Sequence, residues 1–297
     1  MFSGKSITTL YGLLLTTMLV LLFGCSPETN GPGINQLRVS VIPHQNPQDL
    51  ERRFLPLIEY LNRELGIPCV LISVSDYQEI LDKFHNGGLD LVRFGGFTYV
   101  KAFVRDKADP LVMRDVDSHF VSYFLSRKND TTLSLEDYRG RKFAFGPLLS
   151  TSGHLMPRYF LARKNILPEQ FFSQVLYSEG HDTTAEWVKS GRVDLGVANA
   201  VVINKLFQNG VIKPSEIRIV WRTPPFTNYV WAARNDLPAS LKDRIIDAFL
   251  KLTYADPGHR KILNEVGARA YFPATFDDFA ALLRIAVELD LIDHPAE

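Results

Sequence analysis

The sequence predicts an α/β fold in two lobes, and three observations carry the prediction. Short β-branched and apolar runs alternate with amphipathic segments, the order expected of βαβ units around a largely parallel sheet. A pattern of polar start, helix, glycine turn, Asp-Leu step and strand occurs twice, at Ser75–Val92 and at Gly180–Gly196. The chain has 297 residues, enough for one large or two medium domains.

Each element has a local reason. Leu37–Ile42 reads as a strand closed by Pro43. Asp49–Leu65 reads as a helix, because Leu50, Phe54, Leu57, Ile58 and Leu61 recur at helical spacing and Gly66 ends it. Cys69–Val74 is a second strand, with Cys69 expected as a buried apolar side chain. Ser75–Phe84 is a helix with Ser75 and Gln78 at capping-box spacing, and Leu89–Phe94 a third strand. Further strands are expected at Phe120–Ser126, Lys142–Phe145, Gln174–Tyr177, Val193–Ala198, Ile217–Trp221 and Tyr229–Ala233. Helices are expected over Ala239–Ala255 and Phe276–Leu291. Asp76 and Asp182 sit in first helical turns, where the dipole favours a carboxylate. Asp90 and Asp194 are read as turn and loop supports.

The start of the chain indicates export. Lys5 precedes an almost continuous apolar run from Ile7 to Phe23, the form of a secretory signal. That run ends in Leu22-Phe23-Gly24-Cys25, which resembles the cleavage box of bacterial lipoproteins, with Cys25 as the lipidated residue. Residues 1–24 are thus read as a signal peptide and residues 25–36, rich in Pro and Gly, as a tether. The localisation expected is a membrane-anchored lipoprotein in the periplasm or on the cell surface. Without the leader the net charge is near −1, which argues against a nucleic-acid binder. With Cys25 lipidated, only Cys69 remains, so neither an internal disulfide nor a cysteine metal cluster can form.

Catalytic machinery is not evident. There is no Gly-Xaa-Ser-Xaa-Gly elbow, no Walker phosphate loop and no His-Glu-Xaa-Xaa-His pairing among the seven histidines. Ser152, His181 and Asp182 do not make a triad, since adjacent His and Asp on one helical turn point in different directions. Neither a metal nor a cofactor is implied. What stands out is Ser150-Thr151-Ser152-Gly153-His154 at a strand-to-helix junction. Hydroxyls there can cap the helix, and with the free N–H groups and the dipole they can also hold an anion. Phe94-Gly95-Gly96-Phe97 and His44 are placed at the cleft, the paired glycines allowing a ligand to approach backbone.

Taken with Val41-Ile42-Pro43, Ser75-Asp76-Tyr77, Leu89-Asp90-Leu91, Gly180-His181-Asp182 and Val193-Asp194-Leu195, this step resembles the phosphate/phosphite/phosphonate-binding proteins of bacterial ABC importers. The resemblance spans roughly residues 37 to 270. It implies a type II periplasmic-binding-protein fold, each lobe a mostly parallel sheet flanked by helices and the ligand in the interlobe cleft. Lobe 1 would comprise 37–122 plus 229–297, and lobe 2 residues 123–228. It further implies that Ser150, Thr151, Ser152 and Gly153 hold the oxyanion, His154 beside them, with Tyr77 and His181 as donors. His181 would be charged if a bound dianion raised its pKa. Phe120 stands where relatives carry tyrosine, and His119 is the expected substitute donor. Asn199 and the pair Thr227-Asn228 occupy places where members that bind aminoalkyl phosphonates carry carboxylates, which disfavours a cationic ligand.

The function implied is that of a monomeric substrate-binding lipoprotein and not an enzyme. It would capture a small phosphate-, phosphite- or phosphonate-type oxyanion and deliver it to an ABC permease and its ATPase. Two other readings use the same residues: a sensory lipoprotein that reports occupancy to a membrane receptor, and a binder of an organic or thiamine-like ring held by Tyr77, Phe94, Phe97, Phe120 and Trp231.

Overall fold

The computed structural model describes residues 34–292. The signal peptide, Cys25 and most of the tether lie outside the described residues. Within them the chain builds two mixed sheets, each sandwiched between helices.

The first sheet starts from β1 (Leu37–Val41), α1 (Pro47–Leu65), β2 (Cys69–Leu71), α2 (Tyr77–His85), β3 (Leu91–Phe94), α3 (Gly96–Asp106) and β4 (Asp109–Arg114). It is completed from the far end of the chain by β10 (Val230–Ala233), α8 (Ala239–Leu250), α9 (Pro257–Val266), β11 (Tyr271–Pro273) and α10 (Ala280–Glu288). Its strand order is β11-β4-β10-β3-β1-β2. The second sheet takes β5 (Ser122–Arg127), β6 (Lys142–Phe145), α4 (Met156–Ala162), α5 (Pro168–Phe171), β7 (Gln174–Tyr177), α6 (His181–Ser190), β8 (Leu195–Asn199), α7 (Ala200–Gln208) and β9 (Ile217–Arg222), in the order β7-β6-β8-β5-β9.

The sheets are less parallel than expected. β1 pairs in parallel with β2 and β3, and β6 with β7 and β8. The strands that carry the chain between sheets, β5 and β10, enter antiparallel to β8 and β3. A strand arriving from the other sheet has no crossover helix to reverse it, so it runs against its neighbours.

Side-chain alternation assigns each face. In β10, Val230 and Ala232 join the core under α2, α3 and α10, while Trp231 turns to Phe54 of α1 and Phe249 of α8. In β5, Tyr123 and Leu125 pack beneath α6 and α7, and Phe124 stacks with Phe143 on the opposite face.

The internal repeat is structural. Asp90 accepts from the Arg38 N–H (2.8 Å) and bonds its guanidinium, tying the turn before β3 to β1. Asp194 accepts from the Lys142 N–H (3.0 Å), tying the turn before β8 to β6 in the same way. Asp76, not Ser75, caps α2, its carboxylate accepting from the Gln78 and Glu79 N–H groups at 2.8 Å. Ser75 instead donates to Glu79. Asp76→Ala is therefore expected to cost about 1 kcal/mol of stability, read as a lower urea midpoint with unchanged slope.

Other departures have simple causes. Cys69 is half-buried because β2 is a sheet edge; its thiol is pushed up to about 11 by what burial it has. β4 contains Pro110 and polar ends, which hide it from pattern reading. α9 and β11 fall between the two helices expected at the C-terminal end.

The chain crosses from one sheet to the other between Arg114 and Ser122 and returns between Arg222 and Val230. The two crossings are bonded to one another. Asn228 N–H donates to Asp117 O (2.9 Å), Phe120 and Phe226 exchange both backbone bonds (2.9 Å each), and Thr223 N–H donates to Ser122 O (3.1 Å). Asp117 also holds Arg114 through two side-chain hydrogen bonds (2.8 and 2.5 Å) in a fully buried ion pair.

Candidate functional site

The hydroxyl-rich step leaves β6 and enters α4 through one turn of π-helix, Thr151–Leu155. Leu155 N–H donates to Ser150 O (3.0 Å) and Met156 N–H to Thr151 O. The next residue in that ladder is Pro157, which has no N–H, so the Ser152 carbonyl is released. It accepts instead from the Ser122 hydroxyl (2.6 Å) on β5. A π turn of this kind widens the helix start and is common at functional sites.

Ser150 caps the turn, its Oγ accepting from the Gly153 N–H (2.9 Å). Thr151 Oγ1 accepts from the Phe97 N–H in the first turn of α3 (2.8 Å), reaching from the second sheet's half of the protein to the first. That bond leaves the Thr151 proton free to donate. Ser152 Oγ is buried and has no hydrogen-bond partner. Gly153 lies against Gly146 and the His181 ring so closely that a Cβ would come within 2.9 Å of both.

His181 opens α6. Its backbone N–H donates across the cleft to His44 O (3.2 Å). Its Nδ1 accepts from the Asn199 N–H (3.3 Å), which places the ring proton on Nε2, facing Ser150 Oγ at 3.4 Å. Burial pushes its pKa down to about 3, so the ring by itself is a neutral donor. Tyr77, the first residue of α2, is buried and bonds to Ser150; burial holds its phenol well above the usual range. Gly95 caps α3, and a Cβ there would meet Thr151 Oγ1 at 3.2 Å and Asn228 Oδ1 at 3.8 Å. Asn228 is itself buried with Nδ2 unpartnered, and Thr227 beside it is half-buried.

Ser150, Thr151, Ser152 and Gly153 thus converge with Tyr77, Gly95, His181, Asn199 and Asn228 where the two halves of the protein meet. Three expected residues do not. His119 is exposed and bonds Ser118 (2.8 Å), because the turn it occupies faces solvent. His154 turns into the second half: its Nδ1 bonds Leu148 O (2.7 Å), Arg158 donates to its Nε2 (2.8 Å), and Phe145 and Tyr177 enclose the ring. Burial lowers its pKa to about 4. Phe94 packs edge-on to Phe84 at 5.2 Å, in the core beneath α2.

Phe120 is buried with its ring 5.7 Å from that of Tyr229, which sequence reading did not single out. The Tyr229 hydroxyl accepts from Asn199 Nδ2 (2.8 Å), tying the returning crossing to the start of α7. Asn199 itself caps α7, accepting from the Val201 and Val202 N–H groups. Two polar side chains, Ser152 and Asn228, are left with buried and unmet hydrogen-bonding capacity beside a neutral histidine donor. That combination suits a small acceptor-rich ligand.

Known proteins resemble this chain in sequence and fold. A family model described as ABC transporter, phosphonate, periplasmic substrate-binding protein matches residues 39–279. The probable ABC transporter phosphite binding protein PhnD1 of Prochlorococcus marinus (strain MIT 9301) is 30% identical over 95% of this chain and 98% of its own. The phosphate-import protein PhnD of Mycolicibacterium smegmatis is 28% identical over 78% of this chain and 74% of its own. The solved structure of PhnD1 from Prochlorococcus marinus in complex with methylphosphonate has a TM-score of 0.83 at 29% identity, covering 87% of this chain and 99% of that one.

Proposed function

We propose that this chain, which belongs to the family of periplasmic substrate-binding proteins of phosphonate ABC transporters, captures a tetrahedral phosphorus oxyanion between its two halves. The oxyanion would be phosphate, phosphite or a simple phosphonate, handed on to a permease driven by an ATPase. Ser150, Thr151, Ser152, Gly153, Tyr77 and His181 form the cradle, with Gly95, Asn199, Asn228 and Thr227 around it. The observation that carries the reading is the buried, unpartnered Ser152 hydroxyl, beside Ser150 and Thr151. A hydroxyl left so costs stability unless a ligand meets it.

The reading includes a hinge at the paired crossings, with lobe 1 as 37–122 plus 229–297 and lobe 2 as 123–228. It also includes a lipid on Cys25, which would hold the protein at the membrane as a monomer.

Calorimetry of the purified full-length chain against methylphosphonate, phosphite, phosphate and sulfate tests it. Saturable binding of at least one phosphorus oxyanion, and weaker binding of sulfate, is expected. Absence of binding to all of them would overturn the proposal.

A further inference from the structure

A second polar space lies behind the cradle, and the oxyanion reading makes no use of it. His44 and Asn199, which bond His181 through their backbones, form one wall together with Tyr229. The other walls carry Arg53 of α1, Arg93 of β3 and Lys205 of α7. Arg114 also reaches this space, but its guanidinium is taken by Asp117. The cavity is about 10 Å³, room for a water and not for a ligand, so a group can enter only when the lobes part.

The charges are unbalanced. No Asp or Glu lines the cavity. Arg93 is 2% exposed, its guanidinium lies 3.8 Å from the centroid of the Tyr229 ring, and its Nη1 has no hydrogen-bond partner. Arg53 is also buried and spends its Nε on the Glu265 carbonyl (2.9 Å). Lys205 is half-buried. Toward solvent the space is continued by a mouth where Asp49 and Asp182 stand beside Arg52, Arg53 and Lys205. Burial, and then the charge of Arg114, lowers Arg93 to about 10; burial followed by neighbouring arginines lowers Arg53 and Lys205 too. All three are cations, and the carboxylates that act on them most strongly, Asp117 on Arg93 and Glu265 on Arg53 and Lys205, do not line the cavity. Such an arrangement is costly unless something negative completes it.

We infer that Arg53, Arg93 and Lys205 form a subsite for a second anionic group of the ligand, a carboxylate or a further phosphoryl. The inference rests on the oxyanion reading of the cradle. It specifies the far end of the ligand, which would carry a negative substituent in place of a methyl or aminoalkyl group. Arg93 offers the planar fork that carboxylate and phosphoryl oxygens accept, and Lys205 a compact point charge. The position of Arg93 is also informative. It stands in the otherwise apolar run Leu91-Val92-Arg93-Phe94, where packing alone calls for an apolar residue.

The test is calorimetry of the full-length protein with methylphosphonate, phosphonoacetate and methylenediphosphonate. At least one of the two doubly anionic ligands is expected to bind tenfold or more tightly than methylphosphonate. Phosphonoacetate and methylenediphosphonate distinguish a carboxylate from a phosphoryl as the preferred second group. In Arg93→Met and in Lys205→Met that advantage should shrink below threefold, with methylphosphonate affinity changed less than threefold. Lys205→Met, on a half-exposed helical face, decides the matter should Arg93→Met fail to fold. Equal affinity for all three ligands, or an advantage that survives Lys205→Met, overturns the subsite and leaves the cradle standing. Binding of none of them, methylphosphonate included, overturns the cradle reading itself.

Discussion

Thr151→Ala combined with Ser152→Ala is expected to abolish most of the phosphorus-oxyanion affinity while leaving the fold intact. Each buried donor lost costs about 1–3 kcal/mol, so the pair should weaken binding by at least roughly thirtyfold. The informative half of the experiment is the unliganded protein. Ser152 Oγ makes no hydrogen bond and is buried. Removing a satisfied structural hydroxyl costs stability, whereas removing an orphaned one is neutral or stabilising. Ser152→Ala alone should therefore hold or raise the melting temperature without ligand and lower affinity with it. A fall in both would mark the hydroxyl as structural. Thr151→Ala should in addition remove the acceptor for Phe97 N–H and favour the open form of the cleft.

Mild acid is expected to destabilise the protein strongly. His154 and His181 titrate near 4 and 3 in the folded chain because burial disfavours their charged forms, and His44 is lowered in the same direction, first by burial and then by Arg93. Once unfolded, each returns to about 6.5 and takes up a proton that the folded state refuses. The unfolded state then binds more protons, so stability falls as pH falls from about 6.5 toward the folded values. Between pH 7 and pH 5, His154 and His181 should each remove about 2 kcal/mol, a large part of the 5–15 kcal/mol typical of domains. Urea unfolding at pH 7 and pH 5 measures it directly. Equal midpoints at the two pH values would show that these histidines are protonated in the fold or open to solvent.

The alternation of strands and helices was readable because each element satisfies its own periodicity. Leu50, Phe54, Leu57, Ile58 and Leu61 mark α1 without reference to anything distant. The doubled Asp90 and Asp194 turns were readable for a similar reason, each bridging neighbouring strands of one sheet. The hydroxyl step was readable as a helix start with more oxygens than a cap requires. Contacts between the halves were not. Tyr229 meets Asn199 only because the chain returns along a second crossing. Arg93 interrupts an apolar strand, and its neighbours Tyr229 and Arg114 come from distant parts of the chain. The sequence places His181 as a donor, His119 as a substitute donor and His154 beside the hydroxyl step, all near the expected cleft. Local sequence does not say that one ring turns into Phe145 and Tyr177, another into solvent, and the third onto Ser150.

The bonded crossings have a mechanical consequence. Two separate strands between two bodies would let them bend, twist and shear past each other. Here Asp117 with Asn228, Phe120 with Phe226 and Ser122 with Thr223 rivet the strands into one ribbon. In the proposed hinge such a ribbon would act as an axle, with rotation about its own width as the soft coordinate. The lobes would then open and shut along one arc, returning Thr151 to Phe97 and His181 to His44 in fixed registration.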